Sequence, residues 1–185
     1  MPTYIIEHLE PELWDWCLIE YKNISKTVGK DNLWFTNIKK DADKLEKYGK
    51  VIKESVKELN LKNACVLDPE SKDTLKTKDK FDYFIFGGIL GDYPPKKRTE
   101  ELLTKFLTFE TRNIGKEQMS TDNAVLTVKM INDGTEFEKI KFADNIEIET
   151  NENESVQLPY RYVLIKGKPF ISEELIKRLE EGEEF

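Results

Sequence analysis

Apolar positions along the chain fall into short dense runs separated by longer stripes, the pattern of strands alternating with helices. Tyr4-Ile5-Ile6, Leu33-Trp34-Phe35-Thr36 and Ala64-Cys65-Val66-Leu67 carry almost no charge, as expected of strands buried on both faces. Pro11 is placed to open a helix with Leu13, Trp14, Cys17, Leu18, Tyr21 and Ile24 on one stripe, Trp16 off it, and Gly29 at its end. From Asp41 to Leu59 the spacing Ala42, Leu45, Tyr48, Ile52, Val56, Leu59 predicts a second helix with lysines on its solvated face. Residues 70–80 are polar and predict a loop or a single helical turn. Phe109 to Asn113 predicts a further strand, and Thr121 or Asp122 is placed to cap a helix carrying Ala124, Val125, Val128 and Ile131. Alternation of Ile140, Phe142, Ile146 and Ile148 predicts a strand pair or a strand with an extended return. Leu158 to Leu164 resumes extended structure, and Ser172 is placed to cap a final short helix ending near Glu180. No repeat, low-complexity tract or linker interrupts this order, so residues 1–185 are expected to form one α/β domain with a mostly parallel sheet flanked by helices.

The densest run, Phe81-Asp82-Tyr83-Phe84-Ile85-Phe86, stops at Gly87-Gly88. Gly91-Asp92 and Pro94-Pro95 follow before Arg98 opens a helix, so strand, glycine loop and helix come in that order. In an open α/β sheet such a loop lies at the carboxyl end of a strand, where ligands bind. It is neither a GxGxxG fingerprint nor a P-loop, which argues against a dinucleotide or a triphosphate. A second glycine loop, Ile114 to Asp122, has the same strand-before, helix-after setting. Carried on neighbouring strands, the two loops would face one another and hold a mostly neutral, nucleoside-like ligand through backbone groups. An ordinary tight βα connection is the competing account of either loop.

Composition narrows the chemistry. The 185 residues carry a net charge of -7, so the overall field does not favour nucleic-acid phosphates, although Lys96-Lys97-Arg98 is a small basic patch. His8 is the single histidine and neither Cys17 nor Cys65 lies at ligand spacing, so no metal site is expected. No GxSxG is present, and neither cysteine stands beside a base. The two cysteines fit buried free thiols in a reducing compartment. With no signal peptide and no apolar run of spanning length, the expected location is the cytoplasm.

Phe86-Gly87-Gly88-Ile89-Leu90-Gly91-Asp92-Tyr93-Pro94-Pro95 with Arg98-Thr99 resembles the signature of a SPOUT-class family of S-adenosylmethionine-dependent methyltransferases. That family is often labelled RNA methyltransferase, and includes a fungal enzyme that methylates an arginine of a small-subunit ribosomal protein. Tyr4 to His8, Gly115 with Gln118-Met119, Thr121-Asp122 with Ala124-Val125, Ile140-Lys141-Phe142, and Pro159 with Arg161-Tyr162-Val163 extend the resemblance over nearly the whole chain. Tyr93, Asn123 and Tyr160 depart from it, where the family often has His, Thr and Phe. The segment from Asn37 to Lys62 matches no signature.

The resemblance implies a trefoil knot in the carboxyl-terminal half. It also implies a methyl donor, S-adenosylmethionine, bound bent between the two glycine loops and the Leu158 to Tyr162 segment. The donor-binding residues it implies are Phe86, Gly87, Gly88, Gly91 and Asp92 on the first loop, and Ile114, Gly115, Gln118, Met119, Thr121 and Asp122 on the second. Leu158 and Tyr160 complete the set. The favoured acceptor is an arginine of a ribosomal or other translation-associated protein. RNA is the alternative acceptor, and a non-catalytic nucleoside-binding or ribosome-assembly module is the third reading; a monomer and a homodimer are both open. An arginine acceptor is a permanent cation that carboxylates match in a bidentate fork. Glu7 and Asp92 are therefore candidates to orient it, with His8 as a proton acceptor and Glu10 and Arg98 as further substrate contacts. Asp122 has a competing role as a helix cap, Asp92 as a loop brace, and Arg98 as a partner of Glu101 or of the donor's carboxylate.

Overall fold

The computed structural model describes residues 1–91, 96–151 and 154–182. Six parallel strands form one sheet: β1 (Thr3–His8), β2 (Leu33–Thr36), β3 (Lys50–Val51), β4 (Ala64–Leu67), β5 (Tyr83–Gly88) and β6 (Glu110–Arg112), in the order β3-β2-β1-β5-β4-β6. β1 and β5 pair in the centre, Tyr4 opposite Phe84 through His8 opposite Gly88. Alternate residues serve opposite faces, which is why the strands read as unbroken apolar runs. Tyr4, Ile6, Phe35, Phe84 and Phe86 pack beneath α1 (Asp15–Val28) and α3 (Thr121–Asn132). Ile5, Val66 and Ile85 face the other way, under Val56 and Leu103. Each such Ile or Phe, fully buried, contributes about 1.5–3 kcal/mol.

α2 (Arg98–Leu102) follows the loop after β5, and α3 follows the loop after β6. Beyond α3, β7 (Phe142–Asn151) and β8 (Glu154–Ile165) form an antiparallel ribbon, with β9 (Lys168–Pro169) beside β8 and α4 (Glu173–Glu180) closing the chain. A separate apolar cluster joins Ile19 of α1 to Leu158 and Tyr162 of β8 and to Leu175 and Leu179 of α4.

Three expectations are corrected. Asp41 to Leu59 is not a helix: it holds two short 3-10 turns, Ala42–Lys44 and Val56–Glu58, with β3 between them. Leu45 and Val56 are nonetheless fully buried, so the spacing reported burial and not helix. α1 begins at Asp15, not at Pro11, and Trp14 stands at its amino-terminal cap, 42 % exposed. The cap of α3 is Ser120, not Thr121 or Asp122. Ser172 does stand at the amino-terminal cap of α4, as expected, without a side-chain bond. Cys17 and Cys65 are free and buried, and burial pushes both thiols up to about 12. Among the described residues no helix is long and apolar enough to cross a membrane.

Candidate active site

The loops after β4, β5 and β6 converge at the carboxyl edge of the sheet around a cavity of about 280 Å³. β5 and β6 are not neighbours, contrary to the simplest expectation; β4 lies between them, so Leu67 to Glu70 join the wall. Phe86, Gly87, Ile89, Leu90 and Gly91 come from the β5 loop, and Ile114 to Met119, Thr121 and Ala124 from the β6 loop and α3. Gly115 has φ +96°, a conformation other residues adopt only with strain, and an added Cβ would stand 3.2 Å from Phe137 Cζ. The loop it bends is fastened to β8 by Arg161, whose backbone N–H donates to Gln118 O at 2.8 Å. The Arg161 guanidinium donates to Glu117 at 2.7 Å and, in a fork, to Asp144 at 2.7 and 3.0 Å. Tyr160 Oη donates to Gly91 O at 3.0 Å, tying the first loop to the same strand.

A second cavity, about 380 Å³, adjoins the first and shares Ile89, Leu90, Gly91 and Met119 with it. Its other walls are Trp14, Trp16, Tyr160, Ser120 and Glu20. None of Trp14, Trp16 and Glu20 was singled out for chemistry from the sequence. The available signal was Trp16, off the apolar stripe and four residues before Glu20, one helical turn away. Trp16 Nε1–H donates to Glu20 Oε1 at 2.9 Å, and the Thr121 N–H donates to Oε2 at 3.2 Å.

The expected site residues separate into three groups. Phe86, Gly87, Gly91, Ile114, Gly115, Gln118, Met119 and Thr121 line the first cavity, and Tyr160 lines the second. Gly88, Leu158 and Asp122 line neither. Gly88 is pressed against Tyr21, Leu158 sits in the α1–β8–α4 cluster, and Asp122 is buried behind its loop. The Asp122 carboxyl accepts from Asn23 and Ser120, both at 2.7 Å, and from the Asn123 N–H at 2.8 Å.

The carboxyl of Glu7 points to the opposite face of the sheet, accepting from Thr36 and Ser55 hydroxyls and the Val56 N–H. His8 is buried, its Nδ1 2.9 Å from Tyr21 Oη, and it borders neither cavity. Burial holds its imidazole below the usual range. Glu10 and Arg98 meet each other at 3.1 Å, and Glu10 Oε1 also accepts from the Leu90 N–H at 2.9 Å. Asp92 lies outside the described residues. No group of His, Cys, Asp and Glu suited to a metal occurs among the described residues.

Burial, reinforced by Asp122, pushes the Glu20 carboxyl up to about 8. In the unfolded chain it loses its proton near about 4.3. Between these limits the folded state holds the extra proton, so this group's contribution makes stability fall as pH rises. Glu20→Gln has no such proton to lose. Its melting temperature is expected to exceed the wild type's at about pH 9, with the advantage shrinking toward about pH 4. A parallel pair of melting curves would reject this sign.

The family described as protein arginine N-methyltransferase SFM1-like matches residues 3–184. The chain is 42 % identical over 200 aligned positions to the protein arginine N-methyltransferase SFM1 of Saccharomyces cerevisiae, covering 95 % of this chain and 94 % of that one. The crystal structure of the yeast arginine methyltransferase SFM1 complexed with SAM superposes with a TM-score of 0.89 at 36 % identity, over 98 % of this chain and 91 % of that one. A Trm10 structure from Thermococcus kodakaraensis shares the fold, with a TM-score of 0.54 at 22 % identity over 75 % of this chain and 96 % of that one. With its three edge loops gathered around one cavity and its sequence matched almost from end to end, the chain belongs to the SFM1-like family of protein arginine N-methyltransferases.

Proposed function

We propose that this chain transfers a methyl group from S-adenosylmethionine to an arginine side chain of a protein. The observation that carries this is the junction of two cavities at the sheet edge, one walled by the glycine loops and the other holding a buried carboxyl. Phe86, Ile89, Ile114 and Met119 give the first cavity the apolar walls an adenosine requires, and the β5 and β6 loops bring backbone groups to its rim. Bound there, the donor supplies a sulfonium methyl: the acceptor nitrogen bonds that carbon, the C–S bond breaks with its electron pair left on sulfur, and the nitrogen gives up one proton. The protein's part is to hold the two reactants in line.

An RNA acceptor is less well supported. Lys97 is paired with Glu70 and Arg98 with Glu10, which leaves little of the basic patch for phosphates. A ribosomal protein as substrate, a cytoplasmic location and a single knotted domain belong to the same proposal. The knot is supported by membership of the SFM1-like family and by the fold shared with the Trm10 structure.

Isotope-labelled donor incubated with cell extract is expected to leave label that protease removes and nuclease does not; the reverse result rejects a protein acceptor. Gly115→Val is expected to lower donor affinity roughly tenfold or more by calorimetry, because a β-branched residue at positive φ costs on the order of 1–3 kcal/mol and would reshape the loop. Unchanged affinity in a folded variant would show that the loop does not grip the donor.

A further inference from the structure

We propose that the cavity walled by Trp14, Trp16 and Tyr160 receives the acceptor guanidinium, and that Glu20 orients it. This deepens the arginine methyltransferase reading and rests on it. The first support is position: the cavity shares Ile89, Leu90, Gly91 and Met119 with the donor cavity, so an occupant of one touches the wall of the other. A second support is the carboxyl. Glu20 is 6 % exposed and lines the cavity, yet among the described residues no Lys or Arg forms a salt bridge with it. Its Oε1 accepts from Trp16 and its Oε2 from the Thr121 N–H, with the Thr121 side chain beside them, and the carboxyl keeps acceptor capacity toward the cavity. A guanidinium supplies charged N–H donors for it.

The walls are the third support. Indole and phenol rings attract a cation through their faces, and Trp14, 42 % exposed, leaves its ring open to an occupant of the cavity. Glu20 has a structural task as well, since it accepts the N–H of Thr121 at the start of α3. That task needs only an oxygen, whereas holding a guanidinium needs the charge.

Asp122 on α3, Tyr160 and Tyr162 on β8, and Cys17 and Tyr21 on α1 surround Glu20. Burial raises the Cys17 thiol and the Tyr21 and Tyr162 phenols, which stay neutral, and burial shifts the Asp122 carboxyl toward its neutral form. Bringing in a cation therefore favours the ionised form of Glu20 and expels its proton. Once ionised, Glu20 is also the group placed to take the proton that the methylated nitrogen releases.

The test has a binding arm and a transfer arm. N-acetyl-arginine amide is titrated into the protein saturated with S-adenosylhomocysteine while tryptophan fluorescence is followed. Saturable quenching is expected, absent with the neutral N-acetyl-citrulline amide, tightening as pH rises through about 8 in the wild type and flat with pH in Glu20→Gln. Equal quenching by the citrulline compound, or none by the arginine compound, overturns the assignment.

In the transfer arm, labelled methylarginine from extract proteins is counted at saturating donor. Glu20→Gln is expected to lose about tenfold or more with donor affinity unchanged. Trp14→Ala, whose exposed side chain the fold does not require, is expected to raise the acceptor KM. Labelling by both variants at the wild-type rate overturns the pocket while leaving the activity in place. Wild-type protein that binds donor yet labels no arginine overturns the activity itself.

Discussion

Glu7→Ala is expected to destabilise the fold by about 3–5 kcal/mol, without any direct effect on methyl transfer. The Glu7 carboxyl is 1 % exposed and joins three elements. Thr36 of β2 donates to it at 2.5 Å, Ser55 at 2.5 Å, and the Val56 N–H at 2.9 Å. Alanine would leave the buried Val56 N–H without its acceptor and the buried Thr36 hydroxyl with only the Ile6 carbonyl at 3.4 Å, at about 1–3 kcal/mol for each that water cannot reach, and would release the half-buried Ser55 hydroxyl. Against a total stability of about 5–15 kcal/mol, the melting temperature should fall by on the order of 10 °C. Surviving protein should keep its turnover at saturating donor. A variant that melts like the wild type but transfers methyl tenfold more slowly would reinstate Glu7 as a catalytic carboxyl.

Gly88→Val is expected to cost about 3 kcal/mol or more, whereas Gly87→Ala should leave melting nearly unchanged. A Cβ at Gly88 would lie 2.3 Å from Tyr21 Oη, 2.9 Å from Ile6 Cγ2 and 3.2 Å from the Glu7 carbonyl. Tyr21 is fully buried and holds His8, so it has nowhere to retreat. Overpacking of this kind typically costs 1–3 kcal/mol for about a methylene, and valine adds more than that. At Gly87 the same atom meets Ile89 Cδ1 at 3.1 Å and Thr99 Oγ1 at 3.4 Å, the ends of movable side chains that line the first cavity. Thermal melts and donor calorimetry on the two variants separate the roles. Equal stability loss at both positions would contradict this division.

Adjacent glycines thus serve different masters, and nothing in Gly87-Gly88 as a dipeptide tells them apart. Alternation on β5 does: Gly88 falls on the face of Phe84 and Phe86, beneath α1. The parallel sheet was legible because buried strands are apolar on both faces, and every strand of at least three residues in the six-stranded sheet coincides with such a run or with Phe109 to Asn113. The segment from Asp41 to Leu59 was misread because helical spacing records which residues turn inward. Asn37 and Asp41 at positive φ and the tight bend at Gly49, where a Cβ would meet Leu33 O at 2.7 Å, break the helix that the spacing suggested.

Glu20 escaped notice for a different reason. On α1 it is one of two acids with nothing local to distinguish it, and its significance comes from Thr121 and Asp122, about a hundred positions away. Glu7 was overvalued for the converse reason. A carboxyl at a strand end resembles a site residue until its three partners are seen.

The bonds that shape the two cavities span long stretches of chain. Leu90 reaches Glu10 across 80 positions, Asn23 reaches Asp122 across 99, and Thr121 reaches Glu20 across 101. Closing loops of that length costs entropy before any contact repays it. A newly made chain that has formed only its helices and nearest strands therefore has no cavity at all, and neither donor nor acceptor can guide its early collapse. Both ligands meet a surface that exists only after positions 10–23 have found positions 90–122.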